Sequence, residues 1–406
     1  MAETWTIKRC MDWTRDFLKD KGAERARFSA EWMLSSVTGM GRVELYMDID
    51  RPLSPDELDL MHEYVVRRLH GEPLQYITGD TQFRTLQIAC EPGVLIPRPE
   101  TEVLVEEVLN FLDAEVIGAG EARPRRELPW NGEVAALQRA EREAAAQRRA
   151  LEAAQAAEGS SFGSGGGGDG GSTEAAEADG PAGASEPAGE HALTGEAAAS
   201  GGPVPANGPV GDGAPDVTAG PADPARVARV LEIGCGTGCI SLSLVAERPG
   251  RVRCVATDIE AQAVALAMRN RAALGIDPAD AVFLEGNLTT PVDPAERGSF
   301  DVLVSNPPYI PEAVMAELPD EVARFEPHRA LVSGVDGLDL FRRILTCAPH
   351  MLRPGGLLAC ELFEGSLDAA RSLCIAAGLE DVRIVHDLAG KPRIILARTP
   401  AARLGE

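Results

Sequence analysis

Two short runs of residues in this 406-residue chain could do chemistry together. Asn306-Pro307-Pro308-Tyr309 follows an apolar strand expected over Phe300 to Val304. It lies downstream of a glycine-rich turn, Glu232-Ile-Gly-Cys-Gly-Thr-Gly238. The pair points to methylation of a planar nitrogen. An amide nitrogen shares its lone pair with the adjacent π system, and the rotation barrier of ~18–20 kcal/mol measures how strongly it resists losing that conjugation. A site that methylates such a poor nucleophile must hold the NH2 group in line with an electrophilic methyl and favour its pyramidalisation. Hydrogen-bond acceptors do this best. The Asn306 side-chain carbonyl can take one N–H and the backbone carbonyl of Pro307 the other. Pro307 and Pro308 fix φ and remove two competing donors, and Tyr309 can cover the planar face of the acceptor. A proline-rich turn after a strand would need no such role, but its position after a ligand-type glycine turn favours the chemical reading.

Val227 to Ile233 is apolar and β-branched and runs into Gly234-x-Gly236-x-Gly238, then an apolar helix from Cys239 to Glu247. Glycines let backbone approach a ligand, and the N–H groups of a helix start attract polar or anionic groups. A second strand, Val252 to Thr257, ends at Asp258, from which a carboxylate can accept from both hydroxyls of a ribose. The Gly-x-Gly-x-Gly spacing departs from the Gly-x-Gly-x-x-Gly of dinucleotide folds and favours S-adenosylmethionine over NAD. A third strand, Ala281 to Glu285, ends in Gly286-Asn287-Leu288, where adenine would lie. The plainer alternative for Asn287 is a simple turn residue.

These elements sit within a larger alternation. Helices are expected over Thr6 to Lys21, Ala23 to Thr38 and Ser54 to Leu69, the last opened by Ser54-Pro55-Asp56-Glu57 with its cap, first-turn proline and early acids. Trp13, Phe17 and Trp32 read as core. Alternating residues between Thr81 and Leu95 suggest a hairpin, and Pro97-Arg-Pro-Glu-Thr101 opens a helix over Glu102 to Leu112. After Tyr309 come a helix from Leu338 to Met351, a turn over Leu352 to Gly356, a strand from Leu357 to Leu362, a helix from Ala370 to Ala377, and strands at Val382 to Val385 and Arg393 to Ala397 that could pair. The result is an α/β fold: an open, mostly parallel seven-stranded sheet with helices on both faces, an antiparallel edge strand and a small N-terminal helical domain. The organisation reads as 1–80 helical, 81–112 hairpin and connecting helix, 113–226 insertion and 227–400 sheet domain.

The net charge of −24 argues against tight binding to a nucleic-acid backbone. It is unevenly placed: Glu158 to Asp223 holds eleven acidic residues and no Lys or Arg among Gly, Ala, Pro and Ser. Such a segment cannot bury a core and is expected to be disordered. Residues 134–157 have strong helix propensity but little apolar periodicity and read as a solvated or transient helix. The insertion is either a tolerated loop expansion, since closure entropy grows slowly with length, or a partner-binding segment. Eight cysteines without a Cys-x-x-Cys pair read as reduced core residues, and six scattered histidines offer no metal cluster. No signal-peptide pattern or membrane-length apolar run is seen, so a cytoplasmic location is expected.

Taken together, Pro73-Leu-Gln75-Tyr76-Ile77-x-Gly79, Val94-Leu-Ile-Pro-Arg-Pro-Glu-Thr101, Glu232 to Gly238 and Asn306 to Tyr309 resemble the HemK/PrmC family, methyltransferases that modify the glutamine of the Gly-Gly-Gln motif in peptide chain release factors. The resemblance covers roughly residues 1–112 and 227–400. It implies a helical domain that docks the release factor and a Rossmann-like domain that binds S-adenosylmethionine, with no metal and no membrane or direct nucleic-acid partner. Carried over by position, Gly234, Cys235, Gly236, Thr237 and Gly238 would wrap the methionine part of the cofactor, Asp258 the ribose, and Asn287 with Leu288 the adenine. Asn306, beside the cofactor, and Pro307 would bind the acceptor amide. Asn287 stands where the family more often has aspartate, and the long acidic insertion is untypical. Arg98 and Glu100 either position the acceptor or brace the joint between domains, and Glu326-Pro327 with Ala330-Leu331 resembles a supporting segment near the site. Other readings are a glutamine methyltransferase of a ribosomal protein, a nucleic-acid amino-methyltransferase acting on a flipped base, and a non-catalytic binding module.

Overall fold

A computed structural model of the chain describes residues 4–23, 25–118 and 225–401, all within one folded unit. The acidic stretch and the helix expected over 134–157 lie outside the described residues.

Five helices make up the N-terminal module: α1 (Ile7–Asp20), α2 (Ala26–Thr38), α3 (Arg42–Met47), α4 (Pro55–Leu69) and α5 (Leu74–Thr78). The start of α4 is built as its sequence requires. Ser54 Oγ accepts from the Glu57 amide at 3.2 Å while Glu57 Oε2 accepts from the Ser54 amide at 2.8 Å, satisfying two donors that the helix cannot. On α1, Ile7, Cys10, Met11, Thr14 and Leu18 form the inward stripe. Trp13 lies about 100° around the helix from Thr14 and is 47% exposed. Contrary to the sequence expectation it is a surface residue, stacked on Phe17 with ring centres 4.8 Å apart.

A two-stranded antiparallel ribbon, β1 (Asp80–Phe83) and β2 (Leu86–Ala89), links this module to α6 (Thr101–Leu112). The chain continues past Leu112 through a π-helical turn, Asp113–Ile117, whose Val116 and Ile117 are buried. These residues, assigned from sequence to the insertion, belong to the folded core. On the far side Arg226 is already tied to the buried Asp301.

The sheet domain runs β3 (Ala228–Ile233), α7 (Cys239–Glu247), β4 (Val252–Asp258), α8 (Ala261–Ala273), β5 (Ala281–Glu285), β6 (Phe300–Ser305), α9 (Asp320–Phe325), α10 (His328–Leu331), α11 (Asp339–Met351), β7 (Leu352–Glu361), α12 (Leu367–Ala376), β8 (Glu380–His386) and β9 (Pro392–Arg398). Spatial order is β5-β4-β3-β6-β7-β9-β8. Val230 and Val302 pack with α6, α7 and α8 on one face; Leu231 and Leu303 pack with α11 and α12 on the other. Continuous apolar strands are what a sheet covered on both faces demands.

Two details depart from the sequence reading. The one antiparallel strand, β9, sits second from the edge between β7 and β8, because the β8–β9 hairpin inserts its second arm beside β7. Leu352 to Gly356 is not a turn before a strand but the irregular first half of β7: Leu352 pairs with Phe300, and the register shifts before Leu357 meets Val302. Strand order reverses between β3 and β6, which opens a crevice beyond their carboxyl ends, the usual ligand position in open α/β sheets.

Candidate active site

A cavity of about 630 Å3 occupies that crevice, within the range of small-molecule sites. Each strand end delivers a residue to it: Gly234 after β3, Asp258 at the end of β4, Gly286 to Leu288 after β5, and Asn306 after β6. Of the five residues in the glycine turn, only Gly234 and Gly236 line the cavity. Cys235 and Thr237 are buried beneath it. Gly238 starts α7 at φ +81°, and a Cβ there would stand 3.0 Å from Ala267 Cβ and 3.1 Å from Phe283 Cζ. Its glycine is required by packing, a reason distinct from ligand approach.

Asp258 faces the cavity with partners on both oxygens: Oδ2 accepts from the Gly236 amide at 2.9 Å and Oδ1 from the Glu260 amide at 3.0 Å. Burial pushes its carboxyl above the ordinary value, and the backbone donors hold part of that rise back. A carboxylate offers about four acceptor positions, so two remain for hydroxyls. Asn287 and Leu288 both line the cavity, Leu288 in the left-handed region at φ +53°. Asn287 Oδ1 accepts from Arg343 Nη2 at 2.8 Å, so one side of the oxygen expected to meet adenine is already engaged by a cation.

Asn306 is a half-buried polar residue of the wall. Its Nδ2 donates to Thr101 Oγ1 at 3.0 Å, while its Oδ1 is buried without a hydrogen-bond partner. An acceptor left so costs roughly 1–3 kcal/mol, a cost that a bound donor would remove. Pro308 also lines the cavity; Pro307 is buried behind it. The Tyr309 ring packs against the core under α11, and its hydroxyl donates to Glu361 Oε1 at 3.0 Å; Tyr309 itself does not line the cavity. The loop is pinned by the Tyr309 and Ile310 amides, which donate to the Leu331 carbonyl at 3.1 and 2.8 Å. Gly337 permits this course, since a Cβ there would fall 2.2 Å from the Tyr309 carbonyl oxygen.

The segment from Val94 to Thr101 braces three parts of the fold. Tyr76 Oη donates to the Val94 carbonyl at 2.7 Å, Arg98 pairs with the buried Glu326, and the Thr101 hydroxyl donates to Glu361 Oε2 at 2.7 Å. Arg98 thus ties this segment to the supporting one. Glu361, Arg343 and Ile259 escaped the sequence reading. Glu361 carried a legible signal, a carboxylate inside the otherwise apolar Leu357 to Leu362. Arg343 and Ile259 carried none. Seven of the eight cysteines are buried and all are unpaired. No helix among the described residues is long and apolar enough to cross a membrane.

Residues 10–79 match the family model described as PrmC N-terminal domain, and residues 221–319 that described as methyltransferase small domain. The chain is 31% identical over 396 residues to the release factor glutamine methyltransferase of Geobacter sulfurreducens, covering 98% of each. It is 28% identical over 385 residues to the protein of that name from Chlorobaculum tepidum, covering 95% of this chain and 94% of that one. Over 186 residues it is 44% identical to the one from Cereibacter sphaeroides, 46% of this chain and 64% of that one.

Proposed function

Since the chain belongs to the release factor glutamine methyltransferase family, we propose that its crevice methylates the side-chain amide nitrogen of a release-factor glutamine, that of the Gly-Gly-Gln motif, using S-adenosylmethionine. The observation that carries this reading is the unpartnered, buried Asn306 Oδ1 in the wall of a cavity that also holds Gly234, Gly236 and Asp258. The cavity residues fit the cofactor: acceptor positions on Asp258 suit its ribose, the open side of Gly234 admits close approach, and Ile259 with Leu288 offers apolar surface for a purine. When bound, S-adenosylmethionine supplies a methyl group made electrophilic by a sulfonium.

The chain's own task is to present the acceptor. Asn306 Oδ1 takes one amide N–H, which anchors the nitrogen and favours loss of its conjugation as a new bond forms. A neutral acceptor suits this, because a carboxylate at the same place would add a buried charge. No base is needed before transfer; the proton leaves once positive charge has developed on nitrogen. Pro307 and Pro308 stiffen the turn, with the Pro307 carbonyl as the second acceptor, and Tyr309 supports it from below. Within this reading the N-terminal module docks the release factor, and the reaction takes place in the cytoplasm, where release factors act.

The test is transfer of labelled methyl to a purified release factor, beside a form with alanine for the motif glutamine and a ribosomal-protein control. Label is expected on the unmodified release factor alone, and Asn306→Ala should lower kcat by about 100-fold, the scale of losing one charge-stabilising group. Calorimetry should show cofactor binding retained. Label on the ribosomal protein, or loss of cofactor binding with Asn306→Ala, would overturn the assignment.

A further inference from the structure

Asn306 can serve as an acceptor only if its amide is held one way round. The two ends of an amide have the same shape and opposite hydrogen-bonding chemistry, so partners decide the orientation. Its Nδ2 meets Thr101 Oγ1 at 3.0 Å, from a helix start 205 residues away in sequence. Thr101 is 2% exposed, and its hydroxyl meets Glu361 Oε2 at 2.7 Å. The other oxygen of Glu361 receives the Tyr309 hydroxyl at 3.0 Å, and the Glu361 side chain is fully buried at the end of β7.

Protons on this chain of groups can be assigned one by one. Both hydroxyls, of Thr101 and Tyr309, donate to Glu361, which as a carboxylate only accepts. The Thr101 oxygen then has only lone pairs left for Asn306. Asn306 must answer with its NH2, and because the amide is planar its oxygen, which has no partner of its own, turns away from Thr101. Were Glu361 unable to accept from Thr101, the hydroxyl proton could turn to Asn306, stabilising the reversed amide. That orientation would set NH2 against the NH2 of a glutamine.

Resting on the reading of Asn306 as the acceptor-binding group, we propose that Thr101 and Glu361 are positioning residues that fix the Asn306 amide with its oxygen toward the substrate, and so select glutamine over glutamate. An amide presented with oxygen forward accepts from a carboxamide and repels a carboxylate; the reversed amide donates to an oxygen of either and loses that discrimination. The groups facing Glu361 are Thr101, Tyr309, Glu100 and Arg393. Burial raises its carboxyl above the ordinary range, against the pull of Thr101, Tyr309 and Arg393.

The experiment uses the full chain with Thr101→Val, Thr101→Ser and Glu361→Gln. In the last, the new NH2 can donate to Thr101 and turn its proton toward Asn306. Binding of the release factor is compared with that of a form carrying glutamate for the methylated glutamine, alongside kcat, cofactor affinity and thermal midpoint. Wild type should prefer the glutamine form; Thr101→Val should shrink that preference and lower kcat, each by about tenfold, one hydrogen bond's worth of discrimination. Cofactor affinity should hold, and Thr101→Ser should restore the preference. If Thr101→Val fails to fold, Glu361→Gln carries the same expectation. Equal weakening of both forms, or an unchanged preference, would overturn the proposal. Failure of Asn306 itself separates cleanly: Asn306→Ala with wild-type kcat would remove the reading on which the proposal stands.

Discussion

Replacing Gly238 and Gly234 by alanine should separate two glycines that sequence treats alike. At Gly238, φ is +81°, a conformation that costs an L residue about 1–2 kcal/mol. The added Cβ would also meet Ala267 Cβ at 3.0 Å, Phe283 Cζ at 3.1 Å and Leu242 Cδ1 at 3.2 Å. All three belong to the packed layer between α7, α8 and β5, where overpacking costs about 1–3 kcal/mol. Gly238→Ala should therefore destabilise by roughly 2–5 kcal/mol, a large share of an ordinary domain's ~5–15 kcal/mol. Cofactor affinity, measured well below the lowered midpoint, should stay within a few-fold of wild type. Gly234, at φ +77°, has nothing within 4 Å of its missing Cβ and lines the cavity. Gly234→Ala should carry only the backbone cost of about 1–2 kcal/mol but weaken cofactor binding by about tenfold or more, since its Cβ enters ligand space. Urea titration and calorimetry on both variants decide the matter. Full stability with lost affinity in Gly238→Ala, or the reverse in Gly234→Ala, would refute this division of the turn into a packing glycine and a ligand glycine.

Two further outcomes follow from buried carboxyls. Burial raises the Asp258 carboxyl, so cofactor affinity should be complete above that raised value and fall as pH drops through it; Asp258→Ala should lower affinity by about tenfold or more and flatten the profile, as seen by calorimetry across pH. Glu232, buried on β3 and accepting from the Ser241 amide and hydroxyl, is pushed up to about 8. The folded chain keeps this proton where the unfolded chain has lost it, so the group's contribution to stability declines as pH rises from the ordinary carboxylate range toward 8. Glu232→Gln keeps an acceptor for Ser241 and should remove that decline; urea midpoints that still fall equally with pH in the variant would show that Glu232 is not its source.

Much of the fold was legible because its elements are local. The helix from Cys239 to Glu247 and the strand from Ala281 to Glu285 occur with the bounds that periodicity and turn residues gave them, and the capping pattern at Ser54 is realised in full. The site's frame was legible for the same reason. Gly234, Asp258, Asn287 and Asn306 each close an apolar strand, and strands that run parallel in one sheet must deliver their carboxyl ends to one edge. Trp13 was misread because aromatic type outweighed its angle from the stripe of Ile7, Met11 and Leu18. The position of β9 could not be read, since a hairpin's sequence fixes the pairing of its arms and leaves open which arm meets the sheet.

By itself the sequence determined the residue types of the chemistry and the strand ends that carry them, because both are properties of short, contiguous segments. Tertiary structure alone decided which of those residues face the cavity, and it brought Thr101 and Glu361, 260 residues apart, into one hydrogen-bonded chain behind Asn306. A side-chain hydrogen bond across that distance leaves no period, cap or spacing in the sequence. It exists only once the sheet has placed β6 beside β7 and α6 against both.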